Sequence, residues 1–240
     1  GELFTVRPCL IKQPAGIGDI FFCQKIARIM MAQGYDIIWP LRPDIIWIKN
    51  YIKEFNFPTT EDDFPMKDIY QNGAGCAIEE AGAFISTATA DMTHNDGKIM
   101  SSKYSMLNID HSDWQNYFRF TRNIDKEEDL YYNVLGLKDD SEFVFINNLH
   151  NTDVINSGIL SPENYNLPAI ELKIIDGFTL FDWCKVLEKA KSVYTINTSI
   201  NYIIDVLETS YERYVIIAHN EQNKTEIDYL FKTPHEMICK

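Results

Sequence analysis

Gly16-Ile17-Gly18-Asp19 follows a short apolar run, Pro8 to Gln13, and precedes a stretch whose apolar residues recur at helical spacing. Two glycines at a strand-to-helix turn let backbone approach a ligand closely, and the helix start behind them leaves N–H groups unpaired. Gly16 and Gly18 therefore read as lining an acceptor cleft. Asp19 puts a carboxylate at the head of that helix, where it could take the proton of an attacking hydroxyl. The same Asp would serve equally as a helix N-cap.

Asn197-Thr198-Ser199 is a second turn of this kind, small and polar between an apolar strand and a helix. Backbone N–H groups and hydroxyls at such a turn suit a phosphate or diphosphate, and capping by Asn197, Thr198 or Ser199 is compatible with that use. Asn147-Asn148-Leu149-His150 follows another strand and groups hydrogen-bonding side chains where a ligand would pass. Asn148 and His150 are candidates there, with a structural role for His150 the competing reading. Lys103 and Arg122 are cations that could pair with a phosphate, though solvated surface charge is the common use of such residues. His94, Asp96, Asp110, His111 and Asp113 share a polar region but lack metal-ligand spacing, so no metal site is expected.

Several chemistries lack their signatures. GxSxG is missing, as is a Walker A motif. The dinucleotide fingerprint fails because Phe21, not glycine, stands three positions after Gly18. The formal charge of −13 argues against a duplex-DNA or anionic-membrane binder, yet leaves room for a nucleotide held by a few local donors. No run of about 18 uncharged apolar residues occurs, so no membrane span is expected. Five scattered cysteines without a CxxC read as free thiols in a reducing compartment, and the localisation expected is cytoplasmic. No basic-then-apolar leader is visible, and Gly1 in place of Met reads as a cleaved tag or an excised domain, which fits one module of a larger polypeptide.

The elements that must position these residues alternate. Residues 8–13 read as a strand, 20–32 as a helix ended by Gly34, and 36–41 as the next strand: a βαβ unit. Residues 43–52 read as a second helix, 83–88 as a weak strand, and 102–107 and 125–135 as helical. The pattern then starts afresh: strands at 142–148, 169–174, 192–196 and 213–218, with helices at 180–190, capped by Thr179, and 200–207. Alternation of this kind implies mostly parallel sheets, and ligands bind beyond the carboxyl ends of their strands. The fold expected is α/β, two Rossmann-like lobes facing a central cleft, divided as residues 1–123 and 124–240. Trp39, Trp47, Trp114 and Trp183 are read as core or lobe-interface residues.

With these residues in place, the chain resembles the heptosyltransferase-like GT-B glycosyltransferases. Pro14-Ala15-Gly16-Ile17-Gly18-Asp19-Ile20 is similar to their opening turn, whose Asp is thought to act as base. Phe178 to Ala190 followed by Ser192 to Ser199 is similar to their nucleotide-sugar lobe, with Asn197-Thr198-Ser199 where the family often has Asp-Thr/Ser-Gly. The resemblance implies a compact, metal-independent, inverting glycosyltransferase with Asp19 as base. Its donor would be a nucleotide-diphosphate sugar, UDP ahead of GDP or ADP, with no further cofactor, and its acceptor a glycan hydroxyl. Asn148, His150, Asn197, Thr198, Ser199, Lys103 and Arg122 would hold the donor. Two other classes compete. A non-catalytic nucleotide- or glycan-binding module would keep the donor turn and use Asp19 only as a cap. A methyltransferase would want an acidic ribose ligand after the second strand, where Pro40-Leu41 stands.

Overall fold

The computed structural model describes residues 6–88, 98–150 and 155–239. His94 and Asp96 lie outside them. The chain divides into two compact units, Gly1–Phe120 and Thr121–Lys240. The division falls slightly before the expected one. Arg122 consequently belongs to the second unit, held there by Glu127 and Glu188.

In the first unit β1 (Arg7–Lys12), β2 (Tyr35–Ile38), β3 (Cys76–Glu79) and β4 (Gly82–Ser86) form one sheet in the order β2-β1-β4-β3. β1 runs parallel to both β2 and β4, and β3 is an antiparallel edge strand hairpinned to β4. The helix expected over 20–32 starts earlier and is broken: α1 (Ile17–Phe22) and α2 (Gln24–Ala32) meet at Cys23. Gly34 follows α2 with φ of +93°, the left-handed turn expected of it. β2 stops at Ile38, before Pro40, whose missing N–H cannot continue a ladder. Residues 43–50 form a 3-10 helix, and α3 (Lys67–Asn72) and β3 complete a region in which no element was expected. α4 (Ile99–Ser105) carries Lys103.

The core of this unit is apolar residues of β1 and β4 against α1 and α2, with Phe22 packed edge-on to Tyr104 and Trp114. α2 also buries two cations. The Lys25 ammonium donates to the Asp110 carbonyl and pairs with Asp113, while Arg28 Nε donates to the Tyr117 carbonyl. These contacts fasten segment 110–119 over the helix.

The second unit opens with α5 (Ile124–Glu128), which runs into a π-helical turn at 129–134. β5 (Val144–Asn147), β8 (Ala169–Glu171), β9 (Ser192–Ile196), β10 (Arg213–Ala218) and β11 (Glu236–Cys239) form an all-parallel sheet in the order β8-β5-β9-β10-β11. In order of appearance that is 2-1-3-4-5, a doubly wound sheet whose strand order reverses between β5 and β9. β6 (Leu149–His150) and β7 (Ile155–Asn156) make a small antiparallel pair beside it. α6 (Cys184–Lys189) follows a 3-10 turn at 180–183, entered where the Asp182 carboxylate accepts the Thr179 N–H. α7 (Ile200–Ile204) links β9 to β10, and α8 (Glu221–Ile227), with β11, extends the sheet past the last expected strand.

Trp39, Trp114 and Trp183 are fully buried. All five cysteines are unpaired. Among the described residues no helix is long and apolar enough to cross a membrane.

Candidate active site and donor-binding turns

In a parallel sheet the strand ends where the order reverses leave a crevice that no crossover covers. The first unit reverses between β1 and β4. The residues following those two strands are Gln13 to Asp19 and Thr87. α1 begins at Ile17, with Gly16 as its cap residue at φ of +76°, so Asp19 sits in the first turn rather than at the cap position. No side chain caps this helix, and the capping role considered for Asp19 is corrected accordingly. A Cβ on Gly16 would lie 2.4 Å from Asp19 Oδ2. The carboxylate thus lies directly over the glycine.

Asp19 Oδ1 is 3.2 Å from Lys103 Nζ; the Asp side chain is 30% exposed and the Lys side chain 4%. Lys103 also donates to the Thr87 carbonyl at 2.7 Å and to Gln13 Oε1 at 3.1 Å. Gln13 Oε1 accepts the Thr87 hydroxyl as well, and Gln13 Nε2 donates to the Ala15 carbonyl. The ammonium's three protons therefore all have acceptors within this unit. Lys103 was expected as a donor-phosphate cation; it is instead the counter-ion of Asp19, because burial permits an ammonium only with such partners. The Cys23 thiol lies in the same network. Burial pushes its pKa up to about 12, against a lowering by Lys103 and with a smaller rise from Asp19. It is a neutral thiol at ordinary pH.

The second unit reverses between β5 and β9, and the asparagines following its strands stitch the strand ends together. Asn147, fully buried, donates to the Thr195 and Thr198 hydroxyls and accepts the Leu149 N–H. The Asn197 amide donates to Asn223 Oδ1, which also accepts the His219 N–H. Thr198 and Ser199 are buried, and the Thr198 hydroxyl accepts the Ile200 N–H. His150 and His219, from the ends of β6 and β10, stack at 5.1 Å between ring centroids with planes 26° apart. Among the described residues no group hydrogen-bonds either ring. Burial and then the neighbouring His150 lower the His219 pKa.

Two further expected donor ligands are committed elsewhere. Asn148 donates to the Leu160 carbonyl and Glu171 Oε1, and its oxygen accepts the Leu160 N–H. Its amide anchors the loop after β7 and has no free face. Arg122 makes a two-pronged pair with Glu127 and reaches Glu188 at 2.5 Å, and these partners raise its pKa further. It joins α5 to α6. His219, Asn223, Gln13 and Thr87 are the site residues that sequence reasoning missed. His219 directly follows the strand 213–218, which the periodicity located, and Asn223 lies in the first turn of the helix after it, so their position was the available signal.

No protein-family model matches the sequence, and no curated protein matches it. Among solved structures, a glycosyl transferase family 9 protein from Veillonella parvula matches 98% of this chain and 85% of its own, at TM-score 0.51 and 8% identity. This chain has the fold of the heptosyltransferase-like glycosyltransferases. The iron-containing dodecameric glycosyltransferase TibC from enterotoxigenic E. coli matches at TM-score 0.53 and 11% identity, over 98% of this chain and 63% of TibC. TibC in complex with ADP-D-β-D-heptose matches equally well, over 99% of this chain and 66% of TibC. At these identities the likeness is one of fold. Both expected signatures, the Gly-Asp turn and the Asn-Thr-Ser turn, lie at the strand ends where their sheets reverse.

Proposed function

We propose that this chain is an inverting glycosyltransferase that moves a sugar from a nucleoside-diphosphate donor to a glycan hydroxyl, with Asp19 as general base. The observation that carries it is the Asp19 carboxylate: partly exposed, at the reversal point of its sheet, with one oxygen on Lys103 and the other over Gly16. The acceptor proton passes to Asp19 Oδ2. The acceptor oxygen bonds to the anomeric carbon as the bond from that carbon to the diphosphate oxygen breaks, and the nucleoside diphosphate leaves. One displacement inverts the anomeric centre.

The second unit suits the donor. The Asn197-Thr198-Ser199 turn offers N–H and hydroxyl groups at its sheet's reversal point, and His150 and His219 present ring nitrogens that nothing in the described protein engages. These groups stabilise a departing diphosphate, and the reading assigns no step to a metal ion. UDP was expected as the nucleotide. TibC binds ADP-heptose, so ADP and ADP-sugars belong beside UDP in any ligand panel.

Asp19→Ala should retain donor binding and lose transfer by about a hundredfold or more. Calorimetry with ADP and UDP, together with a transfer assay, checks both. Unchanged turnover would remove Asp19 from the chemistry. Donor binding without transfer by the unaltered chain would leave only the binding-module reading.

A further inference from the structure

On the glycosyltransferase reading just given, we infer that Lys103 is the positioning residue of the reaction: it claims Asp19 Oδ1 and so leaves Oδ2, the oxygen over Gly16, as the one that receives the acceptor proton. The inference stands on geometry. A carboxylate at the first turn of a short helix can rotate, and either oxygen could then face a substrate. Here the rotation is stopped from two sides. Nζ holds Oδ1 at 3.2 Å, and Nζ itself cannot drift, being tied to the Thr87 carbonyl at 2.7 Å and to Gln13 Oε1 at 3.1 Å. Thr87 and Gln13 stand one residue past the ends of β4 and β1, and the Thr87 hydroxyl donates to Gln13 Oε1 at 2.9 Å. On the other side, Gly16 has no Cβ, and Oδ2 occupies the space a Cβ would need. Cys23, the remaining polar group in the cluster, is a neutral thiol and does not compete for the ammonium. The arrangement is a strand-anchored ammonium, a fixed carboxylate and one carboxylate oxygen that the ammonium does not engage.

Lys103 touches neither donor nor acceptor on this account; it acts through Asp19. That separates it from a donor-binding cation, whose loss would weaken nucleotide affinity.

The experiment uses the whole chain, Lys103→Met and Lys103→Arg, with ADP and UDP binding by calorimetry and transfer rates measured beside it. Lys103→Met should lower kcat about a hundredfold while keeping nucleotide Kd within about twofold, a split that a merely structural loss would not give. Lys103→Arg keeps the charge but not the reach. It should lower kcat less than the Met variant does, with nucleotide Kd unchanged, and it serves alone if the Met variant fails to fold. Unchanged kcat in a folded variant overturns the inference, as does loss of nucleotide affinity in step with rate. If the unaltered chain neither binds these nucleotides nor transfers, the glycosyltransferase reading fails. Normal transfer by the Lys103 variants sinks the positioning role alone.

Discussion

Gly16 is restricted to glycine for two reasons that act together. Its φ of +76° is a conformation L side chains seldom adopt, and its missing Cβ is the room that Asp19 Oδ2 takes. Gly16→Ala should therefore cost about 1 kcal/mol or more in stability from backbone conformation alone. It should also slow transfer by pushing the carboxylate aside. Urea unfolding and a transfer assay measure the two effects. Full activity in the alanine variant would show that the position of Oδ2 is not critical. Asn147 illustrates the opposite case, a side chain that is functional only through its neighbours. Its buried amide holds Thr195 and Thr198 in the turn that the donor is proposed to meet.

At the scale of elements, the cations that might have greeted a phosphate are used to join helices and loops. Arg122 stands just before α5 and bridges Glu127 on α5 to Glu188 on α6. The Glu127 carboxylate is 1% exposed, so it depends on that guanidinium. Removing one partner of a buried pair strands the other charge, which is worse than never burying the pair. Arg122→Met should destabilise the chain by about 3 kcal/mol, the lower end of such effects because Arg122 itself is 30% exposed. Chemical denaturation tests this, and nucleotide affinity should persist in the folded variant. A change below about 0.5 kcal/mol would mean that the pair behaves like surface charge. Lys25 and Arg28 play a similar part in the first unit by fastening segment 110–119 across α2.

At the scale of the whole molecule, a net charge of −13 opposes an anionic donor at long range. Binding must then rest on groups at contact distance, where screening by salt matters less. The Asn197-Thr198-Ser199 turn and the His150–His219 pair are the groups proposed for that contact. A nucleoside diphosphate or its sugar at a hundredfold above its Kd should stabilise the chain by about 2.7 kcal/mol. Thermal melts with ADP, UDP and their sugars read this directly. A melt indifferent to every nucleotide would overturn the donor assignment, while a response to ADP alone would replace the expected UDP.

The sequence by itself determined the alternation of strands and helices, the restart of the pattern near residue 142, and the two polar turns. Apolar periodicity, glycine and capping chemistry are local, so they can be read along the chain. Small elements escaped that reading. β3 is an exposed strand of four residues, too short and too little buried to show alternation, and β6 and β7 have two residues each. The partner of each charge lay further out of reach. Gln13 and Thr87, both acceptors of the Lys103 ammonium, are 74 residues apart and meet because β1 and β4 are neighbours in the sheet. Asn148 and Arg122 looked like ligands because their donors are visible in a sequence, whereas the acceptors that use them up are not. Side-chain chemistry is a property of the residue. Whether that chemistry is available to a ligand depends on burial and on which distant strands the fold brings together.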